Sequence, residues 1–153
     1  MSAVVKPLPS LEPMTEDDLG EVLAIEKSIY EFPWTLGNFV DSLCAGYRCL
    51  VYRGETGLIG YAVMIVGAGE AHLLNLSVAA GEQRRGHGAR MLQQLIGVAR
   101  DGGARLLFLE VRPSNAAGRL LYAKHGFRQV AVRRGYYPAR DGREDALLLA
   151  IDL

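Results

Sequence analysis

The chain has 153 residues, 50% of them hydrophobic and 22% charged, enough for one ordinary domain with a continuous core and too little for two. Lysine plus arginine and aspartate plus glutamate stand at 17 each, a formal net charge of zero, so bulk charge draws the protein neither to nucleic acid nor to an acidic membrane, and any phosphate affinity must be local. No apolar run reaches the length of a membrane span and MSAVVKPLPS lacks the apolar core of a signal peptide, which points to a cytoplasmic chain, with 1–153 as a single domain and 1–10 as its loosely ordered N-terminal extension.

Thr15-Glu16-Asp17-Asp18 has the form of a capping box, and Leu19, Val22, Leu23, Ile25 and Ile29 follow at helical spacing, predicting a first helix over about 16–30. After the break FPW, Thr35 is placed to cap a short helix whose apolar stripe is Leu36, Phe39, Val40 and Leu43, stopping near Gly46. Cys44 and Cys49, in CAGYRC, form neither a redox pair nor half of a zinc quartet, and His72, His87 and His125 lack ligand spacing, so no metal is expected. YRCLVYR and LIGYAVMIV, joined by GETG, read as a hairpin, and AHLLNLSV adds a third strand. A helix over about 89–101 ends at Gly102-Gly103, and RLLFLEV behind it reads as a short strand buried on both faces. Strand, helix, strand in this order implies a parallel pair with a crossover. Asn115 is placed to cap a helix carrying Leu120, Leu121 and Tyr122, with Gly126 at its end. Strands over about 127–134 and 146–152 flank the polar loop YYPARDGRED. The order ααβββαβαββ describes an α/β chain of mixed α+β character, a mixed sheet with helices against it.

The stretch QRRGHG, 83–88, sets two arginines and two glycines between AHLLNLSV and the amphipathic run ARMLQQLIGVAR. An ordinary turn explains one glycine and no arginines. Bare backbone brought up to an anion at a helix start explains all four, because N–H groups there are unpaired and the helix dipole favours negative charge. The dinucleotide fingerprint fails, since Met91 stands in place of the third glycine and seven residues separate Val78 from Gly86; a Walker loop fails because His87 follows Gly86 where lysine is needed.

Q-x-x-G-x-G after a strand and opening a helix, followed by LYAKHGF at 121–127, resembles the GNAT superfamily of acyl-CoA-dependent N-acetyltransferases. LEVRPSNAAGRLLY at 109–122, RRGYYPARDGREDALLL at 133–149 and FPWT at 32–35 are similar to its ribosomal-protein-alanine N-acetyltransferase (RimI-type) members, a likeness that runs from about Leu11 onward. It departs at Ala79-Ala80-Gly81-Glu82, where an Asp-Pro turn is more usual, and in about ten extra N-terminal residues. The resemblance implies the GNAT fold: a largely antiparallel mixed sheet with a central splayed parallel pair, flanked by about four helices. It implies acetyl-CoA as cosubstrate, its pyrophosphate held by the backbone of Arg84, Arg85, Gly86, His87, Gly88 and Ala89. Leu76, Ser77 and Val78 would pair with the pantetheine, the Val78 N–H aimed at the thioester oxygen, and Asn115 would touch the CoA arm.

Glu110 is the lone charge inside an apolar strand, where a carboxylate is either paired or functional and desolvation pushes its pKa up. The plain alternative is an ion pair with Arg112, two residues along the same face, or with Arg105. The resemblance at LEVR makes Glu110 the general base, acting through a water. It makes Tyr122 the general acid, in contact with the cofactor, where the alternative is a core tyrosine. The implied acceptor is the N-terminal amino group, of alanine, on a small-subunit ribosomal protein; an α-amine of pKa about 7.7 to 8.0 needs only one modest base. Tyr136, Tyr137, Glu144 and Asp145 are expected to meet that basic peptide. A small-amine acceptor, other protein N-termini or lysines, and a non-catalytic CoA-binding module compete with this reading; RRGYYPARDGRED favours a peptide, and the presence of Glu110 and Tyr122 favours catalysis. A monomer or weak dimer without direct nucleic-acid or membrane binding completes the expectation.

Overall fold

The protein, described over residues 8–153 by a computed structural model, begins its regular structure with a strand that spacing did not predict. β1 (Leu11–Pro13) is too short for a period of two to show, and it is recognised only by its partner, pairing antiparallel with β2 (Arg48–Arg53). The expectation for residues 1–7 lies outside the described residues. Just beyond them, the Leu11 N–H donates to Gln94 Oε1 at 2.7 Å and Gln94 Nε2 donates to the Pro9 carbonyl at 3.5 Å.

A 3-10 turn (Glu16–Asp18) leads into α1 (Leu19–Ile29), the Asp18 carboxylate accepting the Thr15 N–H at 2.9 Å. Thr35 Oγ1 caps α2 (Leu36–Cys44) by accepting the Asn38 N–H at 3.1 Å. β2, β3 (Leu58–Gly67) and β4 (Glu70–Val78) form an antiparallel meander. α3 (His87–Asp101) then crosses to β5 (Leu106–Val111), parallel to β4. α4 (Ala116–Lys124), capped by Asn115, leads to the hairpin of β6 (Arg128–Ala139) and β7 (Gly142–Asp152). The sheet runs β1-β2-β3-β4-β5-β7-β6, mixed, with β4–β5 its parallel pair among the described strands.

Apolar side chains on the two faces of this sheet make two cores. Leu73, Leu107 and Leu109 pack with Leu92 and Leu95 of α3 and with Tyr122 of α4 on one face. Val51, Tyr61 and Val63 pack with Val22 of α1 and Phe39 of α2 on the other. Each fully buried aliphatic side chain contributes about 1.5–3 kcal/mol, so both faces resist opening.

Two expectations are corrected. β5 is not buried on both faces: Leu107, Leu109 and Val111 are buried, while Leu106, Phe108 and Glu110 are half-buried. The loop expected over 136–145 is mostly strand, with Tyr137 paired to Glu144 and Ala139 to Gly142, leaving Arg140 and Asp141 as the turn. Tyrosines favour a pleated, half-buried surface, and the irregularity between Arg133 and Tyr137 absorbs Gly135 within the strand. No helix among the described residues is long and apolar enough to cross a membrane.

Candidate active site

β4 and β5 stay paired only from Glu70↔Leu106 to Leu73↔Leu109. β4 remains bonded to β3 as far as Val78↔Gly60, and β5 to β7 as far as Val111↔Leu147, so the parallel strands part and leave a wedge between them. A bulge in β4 accompanies the parting: Leu73 faces Met64 and Asn75 faces Val63, with Leu74 left over. One extra residue reverses which side chains face which side. Asn75 and Ser77 therefore join His72 and Glu110 on the α1 face, while Leu76 turns to the α3 face. Ala79 donates its N–H to the Ile59 carbonyl at 2.8 Å, across to β3. By strand alternation the Val78 N–H points the other way, into the wedge. Gln83 Nε2 donates to the Val78 carbonyl at 3.0 Å, so the glutamine of the loop motif ties the strand end to the loop.

The loop itself is a run of open donors. Arg84 (φ 65°) and Gly86 (φ 80°) are left-handed, Gly86 caps α3 without a side-chain bond, and none of the backbone N–H groups from Arg84 to Ala89 donates a hydrogen bond among the described residues. Arg85 reaches Glu82 at 3.3 Å, and His87 Nε2 lies 3.5 Å from the same carboxylate. Arg90, missed in the sequence, folds its guanidinium back over the loop, donating to the Arg85 carbonyl at 2.9 Å. A Cβ at Gly86 would stand 3.3 Å from that guanidinium, whereas one at Gly88 would make ordinary contact with Leu121 and Val78.

Glu110 is ion-paired, but with neither Arg112 nor Arg105. Its Oε2 lies 2.6 Å from His72 Nε2 and its Oε1 accepts from Arg133 Nη1 at 2.9 Å. Burial pushes the carboxyl up, but the hydrogen bond and charge of His72, then those of Arg133, outweigh it and hold the group below the usual carboxylate range. The upward shift expected from desolvation alone is thus reversed. Arg112 goes instead to Glu144 at 3.2 Å and to the Pro138 carbonyl at 2.8 Å, with its guanidinium over the Phe32 and Tyr137 rings.

Tyr122 lies on α4 with its ring buried against Phe127, centroids 5.5 Å apart. Its hydroxyl makes no hydrogen bond among the described residues, yet it is not sealed from solvent, as the Tyr52 hydroxyl is. Burial, then the nearby Tyr30 and Tyr137, push it well above the usual tyrosine range, so it keeps its proton at neutral pH. Asn115 Oδ1 is spent on the helix cap, accepting the Gly118 N–H at 2.9 Å.

The four residues expected to meet a peptide divide. Tyr136 and Tyr137 lie on β6 with rings 4.9 Å apart, Tyr136 being 40% exposed. The acids are engaged within the chain: Glu144 accepts from Arg112, from Ser114 Oγ and from the Ser114 N–H, and Asp145 accepts the Gly135 N–H at 2.8 Å. Ser114 and Arg112 hold the Glu144 carboxyl below its usual range. Glu144 thus fastens the hairpin to the residues that follow β5, and Asp145 ties β7 to β6 within it.

Sequence reasoning also missed a buried chain on the α1 face. The Tyr30 hydroxyl donates to Ser77 Oγ at 2.6 Å, Ser77 Oγ to Asn75 Oδ1 at 2.6 Å, and Asn75 Nδ2 to Glu26 Oε1 at 3.1 Å. Glu26, 1% exposed, also accepts from the Tyr61 hydroxyl and the Trp34 N–H. A signal existed: Glu26 follows Val22 by four residues on the buried stripe of α1, an acid where an apolar residue belongs, and Tyr30 stands four further on, just past the helix end.

The model of the acetyltransferase (GNAT) family matches residues 9–127. The [ribosomal protein bS18]-alanine N-acetyltransferase of Haemophilus ducreyi is 34% identical over 144 residues, 94% of this chain and 99% of that protein. Its namesake from Escherichia coli K12 is 36% identical over 136 residues, 89% and 92% of the two chains. A crystal structure of the Escherichia coli ribosomal-protein-S18-alanine N-acetyltransferase superposes with a TM-score of 0.88 at 34% identity, covering 95% of this chain and 94% of that one.

Proposed function

From the premise that the chain belongs to the acetyltransferase (GNAT) family and is an N-acetyltransferase, we propose that it moves the acetyl group of acetyl-CoA onto the N-terminal alanine of ribosomal protein bS18. The observation that carries this reading is the wedge left where β4 and β5 part, with the outward N–H of Val78 on one strand and Glu110 on the other, followed by a loop of open N–H groups; Tyr122, whose hydroxyl makes no hydrogen bond among the described residues, is the proton donor we assign to it.

That loop suits a pyrophosphate: consecutive undonated N–H groups at the N-terminus of α3, with Arg84, Arg85 and Arg90 around them, match the charge and acceptor density of linked phosphates. Leu76 and Val78 present the unpaired edge of β4 to an extended amide-bearing arm, as an added strand would be received. The Val78 N–H polarises the thioester carbonyl. Glu110 takes a proton from the attacking α-amine, through a water, as the N–C bond forms. Tyr122 then gives its proton to the thiolate as the C–S bond breaks. Tyr136 and Tyr137, with Tyr30 opposite, offer the aromatic walls of the peptide's entry, and a cytoplasmic setting follows from a ribosomal acceptor.

Incubation with acetyl-CoA and peptides differing only in their first residues, read by mass spectrometry, tests this. Acetylation at the α-amine of the bS18 N-terminal sequence, and none on a peptide with a blocked N-terminus, is expected. Transfer to small amines with peptides untouched would overturn the acceptor assignment.

A further inference from the structure

His72 carries a polar ring at the last paired stretch of β4, and the steps above make no use of it. It stands opposite Phe108 of β5 and stacks on that ring, centroids 4.3 Å apart and planes 22° from parallel. Its Nε2 is 2.6 Å from Glu110 Oε2; an ionised carboxylate only accepts, so Nε2 carries the proton. We propose that His72 is the positioning residue of the general base: it fixes the Glu110 carboxylate and keeps it ionised, leaving open only the lone pairs that the amine or its water can use. The inference rests on Glu110 acting as that base.

Arg133 is the other donor, and exposure separates the two. The side chains of Glu110 and His72 are 8% and 22% exposed, while that of Arg133 is 53% exposed. Arg133 therefore holds the carboxylate through a screened contact, its guanidinium lying over the Tyr136 ring. His72 bonds from a shielded position with its ring already pinned by stacking, so little side-chain entropy opposes the bond. Of the other titratable groups on this face, Tyr137 of β6 acts on the carboxylate through charge alone, while Tyr30, Glu26 and Tyr61 make their hydrogen bonds elsewhere.

Two substitutions isolate the donor in the full-length protein. His72→Phe keeps an aromatic ring on Phe108 and loses the N–H; His72→Gln places an amide N–H at the reach of Nε2. Losing the donor removes stabilisation from the ionised form, so the Glu110 carboxyl must titrate at higher pH in His72→Phe. We expect this shift in the carbon-13 signal of the carboxyl, with kcat for a bS18 N-terminal peptide lower by about tenfold or more, the KM for acetyl-CoA unchanged, and most of both effects reversed in His72→Gln. In a Glu110→Gln background His72→Phe should cost no further rate. An unmoved carboxyl titration with parental kcat, or an equal loss in the Glu110→Gln background, overturns the positioning role. Parental activity of Glu110→Gln alone would instead remove the base on which the inference stands.

Discussion

Both oxygens of Glu110 are already bonded, one to His72 and one to Arg133, and this limits what kind of base it could be. With its carboxyl held below the usual range, stripping a proton from a full α-ammonium of pKa about 7.7 to 8.0 would be uphill by roughly 5 kcal/mol or more. Waiting for the neutral amine, about a tenth of the total at pH 7, costs only about 1.4 kcal/mol. As the proposed base, Glu110 would therefore act on the neutral amine, as bond formation makes its nitrogen acidic. We expect Glu110→Gln to lower kcat/KM by about a hundredfold while the limb near pH 8, which belongs to the substrate, stays in place. pH–rate profiles of both proteins check this, and a limb that vanished in the variant would reassign it to the enzyme. Tyr122→Phe removes a hydroxyl with no hydrogen-bond partner among the described residues, so stability should change by less than about 0.5 kcal/mol while turnover falls about a hundredfold. Melting curves and turnover at saturating acetyl-CoA decide it, near-parental turnover removing Tyr122 from the mechanism. Both residues were legible as polar groups in apolar segments. Their surroundings were not: His72 lies 38 positions from Glu110 and Arg133 lies 23 away, brought in by strand pairing. The same-face rule pointed to Arg112, but β5 ends at Val111, and beyond it Arg112 turns to Glu144.

At the scale of elements, capping residues were the most readable part of the chain: Thr35 and Asn115 cap α2 and α4 through short-range bonds that depend on nothing distant. The bulge at Leu74 was unreadable, because AHLLNLSV alternates well enough for an uninterrupted strand and only its partner β3 reveals the extra residue. That bulge swings Ser77 toward Tyr30. The glycines of QRRGHG were legible as a helix start with bare backbone, and a test of the phosphate loop follows from Gly86. A valine there must adopt φ 80° at a cost of about 1–2 kcal/mol or more and press on the Arg90 guanidinium, while Met91, Leu92, Leu95 and Ala99 still anchor α3 to the core. Gly86→Val should stay folded, with acetyl-CoA affinity reduced by about tenfold or more. Calorimetric titration of a folded variant showing parental affinity would separate this loop from the cosubstrate.

Across the whole molecule, the parallel β4–β5 pair followed from strand, helix and strand in sequence, but the insertion of β7 between β5 and β6 did not, because a hairpin can join a sheet by either of its strands. A second long-range feature, Glu26, binds the fold more widely than any residue singled out in the sequence. From α1 it accepts the Trp34 N–H of the α1–α2 connection, the Tyr61 hydroxyl of β3 and the Asn75 amide of β4, and through Asn75 and Ser77 it fixes the Tyr30 hydroxyl. Glu26→Gln keeps the shape but turns an N–H donor toward one of these donors, and the group left unsatisfied should cost about 1–3 kcal/mol. Glu26→Ala strands all three donors beside a cavity and should cost about 4 kcal/mol or more. Urea midpoints at pH 7 with unchanged m-values would report both losses. The functional damage should fall mainly on one side: the network holds the side chains of Tyr30, Trp34 and Ser77 but no residue of the 84–89 loop, so Glu26→Gln should raise the KM for the peptide more than it weakens acetyl-CoA binding. A Glu26→Gln protein with the parental midpoint and peptide KM would show that these bonds are filled by the fold without organising it.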